Sequence, residues 1–196
     1  MKKAIGIIHD EHRSISAVLS GLRSLAQLAR EGKVRPDFAV FRAMIYYIDA
    51  FPERMHHPKE DQHLFARLLA RDPGARALVE ALKAEHVSGA RLVRDLEQAA
   101  LSFEQTWPEG GANFVAAVEA YAQFHWSHMR REEEEVIPRA EKALTPEDWA
   151  AIQAAFEGNE DPIADLREQD FHAIYQRIIN LAPAPVGLGE RWKPAS

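Results

Sequence analysis

Apolar residues recur at helical spacing along almost the whole of this chain, and the strict alternation that marks a strand is nearly absent. From residue 3 to about 31, Ile8, Ile15, Leu19, Leu22 and Leu25 mark one helix face, and Gly32 ends the segment. The spacing predicts a second helix from Pro36, a residue suited to a first turn, to about Arg71, with Asp72-Pro73-Gly74 as the stop. Pro52 and Pro58 fall inside it and should bend it. A third helix is expected over residues 75 to about 102, along a stripe of Leu78, Leu82, Val93 and Leu96. After the loop sequence TWPEGGAN a fourth runs from about Asn113 to Lys142. Four long helices with short connections predict an all-α fold, an up-down-up-down four-helix bundle.

Beyond Leu144 the pattern changes. Thr145-Pro146-Glu147 is a helix start, with threonine as cap and proline in the first turn, and it opens a short amphipathic helix to about Phe156. A further helix is expected after GNEDP, through Ile179. The last stretch, LAPAPVGLGERWKPAS, is rich in proline and glycine and should be extended, with Trp192 seeking a surface to pack on. The chain therefore divides into a bundle over residues 1–144 and a C-terminal helical extension and tail over residues 145–196. The extension is a candidate contact for a homodimer or another protein partner.

Charge and composition remove several classes of function. A formal net charge of -6 gives no basic face for nucleic acid. There is no cysteine, which excludes disulfides, thiolate catalysis and sulfur-ligated metals. No apolar run approaches the ~20 residues of a membrane span. The opening MKKAIGIIHDEHR reaches charge and histidine too soon for a signal peptide, so a cytoplasmic location is expected.

The histidines are patterned. His56 and Glu60 are four apart, so on a helix they project from one face about one turn apart. His128 and Glu132 repeat that HxxxE spacing, and each copy follows a helix carrying a Glu-His pair, Glu11-His12 and Glu85-His86. His56 lies 44 residues after His12, and His128 lies 42 after His86. Two helical hairpins, each supplying one histidine and one HxxxE, would bring four imidazoles and two carboxylates together inside a bundle. Imidazole and carboxylate suit iron, manganese or zinc, and a carboxylate can bridge two cations. Two metals roughly 3.5–4 Å apart match the roughly 6 Å axial step between residues i and i+4. A single HxxxE is an ordinary exposed ion pair. Two copies at near-equal distance behind Glu-His are not, and buried carboxylates without a cation would cost several kcal/mol each.

The segments HDEHRSI, MHHPKEDQHLF, LKAEHVSGARLV and HMRREEEEVIPRA resemble those of the hemerythrin-like, or HHE cation-binding, family of four-helix-bundle proteins, over residues 9 to 140. The stretch LTPEDWAAIQAAFEGNEDP is similar to an extension in bacterial members. The resemblance implies a non-haem centre of two iron ions held by histidines and bridging carboxylates, with room for an oxo or hydroxo bridge. It also implies a small partner: oxygen, nitric oxide or peroxide. Two departures separate this chain from the oxygen-carrying hemerythrins. Ala90 stands four after His86 where they offer HxxxH, and the fourth helix has HxxxE where they have HxxxxD. The likeness is nearer to sensor and repair branches.

Periodicity alone does not choose between His56 and His57, because Leu64 and Leu68 align with His57 and Asp61 while Phe38, Ile45 and Pro52 align with His56 and Glu60. The family's register favours the latter: its bridging glutamate precedes a large apolar pair by four and five, as Glu60 precedes Leu64 and Phe65 and Glu132 precedes Val136 and Ile137. By resemblance, then, His12, His56, His86 and His128 are terminal ligands, Glu60 and Glu132 bridge, and His57 sits where some members place an additional ligand. His9, His63 and His125 are expected beside the site rather than on the metal, and Tyr47 and Tyr121 in the core or lining the pocket. His172 is expected at the surface. The run Glu132 to Glu135 reads as a solvated face, apart from Glu132. Two other classes of function fit the same residues: an iron- or oxygen-responsive regulatory module, and a bundle with structural zinc and no redox role.

Overall fold

The computed structural model describes residues 1–32, 35–157, 178, 180–184, 186–189 and 192. Of the helix expected after GNEDP through Ile179, Ile178 alone is among them, helical and buried, and His172 falls outside them. Helix α1, Lys2–Arg30, buries Ala4, Ile8, His12, Ile15, Leu19, Leu22 and Leu25 along one stripe. Gly32 then takes φ +68°, a left-handed conformation that glycine adopts without steric cost.

The second long helix begins at Phe38 rather than Pro36, because the Asp37 carboxylate accepts the Ala39 amide and fixes the cap there. It runs as α2, Phe38–Ile48; a π-helical segment, Asp49–His56; α3, His57–Lys59; a second π segment, Glu60–Phe65; and α4, Ala66–Arg71. The bends expected at Pro52 and Pro58 are thus a widening of the helix, since a residue without an N–H cannot complete the α ladder. A short 3-10 turn, Pro73–Ala75, leads to α5, Arg76–Gln105. Helix α6, Gly111–Arg131, continues through a π segment, Glu132–Val136, into α7, Ile137–Ala143. Every π segment among the described residues lies on a helix that carries an HxxxE.

Helix α6 packs against both α1 and α5, and α2 against α5 and α1, which closes the bundle. Helix α8, Pro146–Glu157, is opened by a reciprocal cap in which Asp148 N donates to Thr145 Oγ1 and Thr145 N to Asp148 Oδ2. It lies across α1 and buries Trp149, Ile152 and Phe156. Trp192 packs on the bundle, its ring centroid 5.9 Å from that of Phe41. No helix of the described residues is long and apolar enough to cross a membrane.

The buried apolar residues form two clusters rather than one. The first holds Ile15, Leu19, Met55, Val93, Leu96, Phe114 and Met129. The second holds Ile8, Leu64, Phe65, Leu82, Val136 and the buried face of α8. Each long helix passes from one cluster to the other, and between them each presents its histidine or its HxxxE.

Candidate metal centre

The change of cluster places the site. His12 lies between Ile8 and Ile15 on α1, and His86 between Leu82 and Val93 on α5. His56 ends one π segment and Glu60 opens the next, while His128 lies in the last turn of α6, just before the π segment that Glu132 opens. All six are buried, Glu60 and Glu132 to 0% and 1% exposure.

The ring nitrogens face one another in pairs drawn from the two helices of each hairpin. His12 Nε2 is 3.1 Å from His56 Nε2, and His86 Nε2 is 3.0 Å from His128 Nε2. The carboxylates straddle the pairs. Glu60 Oε1 lies 3.4 Å from His56 Nε2, and its Oε2 3.7 Å from His86 Nε2. Glu132 Oε1 lies 3.1 Å from His128 Nε2, and its Oε2 3.4 Å from His12 Nε2. Two donor groups result, His12-His56-Glu60-Glu132 and Glu60-His86-His128-Glu132, each with its atoms within 4.8 Å of one another. They share both glutamates. A third group of the same compactness joins His57 to His86 and His128, so the two halves differ by one imidazole.

A carboxylate stands behind each of the four rings. His12 Nδ1 is 2.8 Å from Glu133 Oε1, His56 Nδ1 2.7 Å from Glu11, His86 Nδ1 3.2 Å from Asp61, and His128 Nδ1 2.9 Å from Glu85. The pattern repeats with the hairpins. Glu11 and Glu85, each preceding a histidine, support the histidine of the neighbouring helix in their own hairpin. Asp61 and Glu133, each following a bridging-position glutamate, support a histidine of the other hairpin. Arg131 donates to Glu85 in turn. Such contacts place the proton on Nδ1 and leave the Nε2 lone pair directed inward. The sequence marks Glu11 and Glu85 only as members of the Glu-His pairs and assigns none of the four acids this role, and Glu133 reads there as part of a solvated face. The available signal was their adjacency to His12, Glu60, His86 and Glu132.

Electrostatics separates the two central acids. Burial pushes the Glu60 carboxyl well above the usual range, and the negative charge of Glu132 adds to it. Burial opposes ionisation of Glu132 too, but His128 and His86 hold it well below that range. For His86, burial is outweighed by Asp61 and Glu132, and its pKa rises to about 9. Among the described residues all four oxygens of Glu60 and Glu132 lack a hydrogen-bond partner, since the nearby ring nitrogens do not meet them in bonding alignment. Buried polar atoms are ordinarily satisfied. Four orphaned oxygens among four inward-facing imidazole nitrogens fit cations, and a donor set of nitrogen and oxygen without sulfur fits iron, manganese or zinc.

The family model of the hemerythrin HHE cation-binding domain matches residues 3–140. The chain belongs to that family. The comparison with curated proteins gives no match. In this hemerythrin-like chain, position 90, where an oxygen carrier would place a histidine, is alanine, and the extra imidazole of that half is His57 instead. His57 is buried next to His56, because a π turn has more residues than an α turn and narrows the angle between neighbours. Its ring lies nearly parallel to that of His86, with centroids 4.1 Å apart. His9 and His63 are half-buried and belong to none of the three groups. His125 is fully buried and donates to Glu53 at 3.1 Å, and Tyr121 donates to the same oxygen at 2.9 Å. Tyr47 is core, against Phe51. Glu53 carries no HxxxE or Glu-His spacing that marks it in the sequence; burial opposes its ionisation, but His125 and His57 hold its carboxyl far below the usual range.

Proposed function

We propose that this hemerythrin-like domain holds two iron ions and binds or reacts with oxygen, nitric oxide or peroxide. His12 and His56 hold one iron, His86, His128 and His57 the other, and Glu60 and Glu132 bridge them. The observation that carries this reading is the pair of fully buried glutamates whose oxygens take no hydrogen bond among the described residues, set between two facing pairs of imidazoles. Iron, when bound, supplies a change of oxidation state and an open position for a small ligand. The chain supplies the rest. Glu11, Glu133, Asp61 and Glu85 lock the imidazole tautomers and raise the basicity of Nε2. Phe51 and Phe156 stand beside His56, Phe65 beside His86 and Phe124 beside His128, and these rings keep bulk water and large molecules away. The His12–His56 side has one imidazole fewer and is the side a ligand would join.

Metal analysis with an optical spectrum under air tests this. The expected result is two irons per chain and ligand-to-metal charge-transfer bands, which zinc lacks. Folded protein that takes up no iron on reconstitution would overturn it.

One contact favours a regulatory variant of the same reading. Phe156 of α8 meets His56 edge-on at 6.2 Å, and Lys59 Nζ, 5.4 Å over the Phe156 ring, is 3.7 Å from the Glu11 that bonds His56. Loss of metal would then loosen helix α8, which protease digestion with and without iron would reveal.

A further inference from the structure

Glu53 belongs to none of the donor groups, yet its side chain is 5% exposed, far less than the 42%, 32% and 28% of Glu133, Asp61 and Glu85. It lies one turn before His57 in the π segment Asp49–His56. Its Oε1 accepts from Tyr121 Oη at 2.9 Å and from His125 Nε2 at 3.1 Å. Those two bonds leave Oε2 facing His57 Nδ1 at 3.4 Å, slightly beyond a normal hydrogen bond. His57 Nδ1 is a buried nitrogen with no hydrogen-bond partner among the described residues.

The room for this carboxylate comes from the opposite helix. A Cβ at Gly89, on α5 one turn beyond His86, would sit 2.9 Å from Glu53 Oε1 and 3.3 Å from Oε2. Any larger residue there would displace the carboxylate. The other four imidazoles each have an acid at Nδ1, and Glu53 stands at the corresponding place for the fifth.

We propose that Glu53, seated in the space Gly89 leaves and fixed by Tyr121 and His125, is a positioning residue that holds His57 with Nε2 turned toward the cation of His86 and His128. Glu53 touches no cation itself and acts through His57. The inference rests on the two-cation reading above.

Titration of metal-free protein with Co²⁺, followed by its optical absorption, tests it. The natural chain should take two equivalents. Glu53→Gln and Gly89→Ala should each bind the first equivalent normally and the second about 10- to 100-fold more weakly. In a His57→Ala background Glu53→Gln should add no further loss, because it acts only through that ring. Nitrogen-15 spectra of the metal-free protein should show His57 protonated at Nδ1, and a mixture of tautomers in Glu53→Gln. If Glu53→Gln does not fold, Gly89→Ala decides, since it keeps every polar group. Unchanged uptake of both equivalents by a folded variant, or additive losses in the double variant, would overturn the proposal. A natural chain that takes fewer than two cobalt ions would overturn the two-cation reading and the inference with it.

Discussion

At the scale of single residues, neighbours in sequence have different roles. Glu132 faces both imidazole pairs with its oxygens unbonded, while Glu133 turns outward, 42% exposed, and bonds His12 Nδ1. Glu132→Ala or Glu60→Ala should therefore lose both metals together, because each removes a carboxylate that the two donor groups share. Glu133→Gln should keep two metals and weaken one of them by up to about 10-fold, as expected for an outer partner with solvent access. Metal content of the three variants checks this, and equal losses from Glu132→Ala and Glu133→Gln would show that the bridging assignment is wrong. His56 and His57 diverge in the same way. His56→Ala removes one of only two imidazoles on its half and should empty that position, whereas His57→Ala leaves His86 and His128 and should retain two irons with an altered spectrum. Sequence spacing marked the two HxxxE pairs, His56-Glu60 and His128-Glu132, since i,i+4 geometry is local, but it took the family's register to favour His56 over His57. It could not reveal that Asp61 supports His86, because that contact joins different hairpins.

At the scale of elements, the departures from α geometry are concentrated where the donors are. The π segments Asp49–His56, Glu60–Phe65 and Glu132–Val136 carry or adjoin both HxxxE motifs. The prolines at 52 and 58 announced a disturbance in the second long helix, but Pro138 follows the last π segment, and sequence alone suggested no bend there. Helix α8 was legible from Thr145-Pro146-Glu147, yet its docking was not, since an amphipathic face does not name its partner. Phe156, 2% exposed, fills the second apolar cluster and touches His56. Phe156→Ala should destabilise the protein by about 3–5 kcal/mol, the usual cost of emptying a buried aromatic site. Chemical denaturation of the metal-free protein would measure it, and a loss below about 1 kcal/mol would mean that α8 is not packed as described.

At the scale of the whole molecule, the polar layer divides the core in two, and without a cation it must be neutralised by protons. The pKa of His86 is raised to about 9, so the stability its proton supplies is complete below the unfolded value near 6.5 and is lost as pH rises through about 9. The melting temperature of the metal-free protein should accordingly fall between about pH 6.5 and 9. The iron-loaded protein should melt higher throughout and show no such fall, because the cation takes the place of the proton and binds the folded state alone. Parallel melting curves that keep a constant gap across that range would contradict this.

The sequence by itself determined the all-α class, the four long helices, the duplicated Glu-His and HxxxE and hence the kind of donor set, because helical period and i,i+4 spacing are local properties of the chain. It marked Gly32 and Thr145 correctly, since a left-handed glycine and a threonine cap act on their own neighbours. Only the tertiary structure decided that His57 joins His86 and His128, that four acids stand behind the four rings, and that Glu53 fits against Gly89. Each of these depends on which helices lie side by side and on how far a π turn rotates one side chain toward another. Those are long-range consequences of packing two apolar clusters around a polar layer, and no local pattern encodes them.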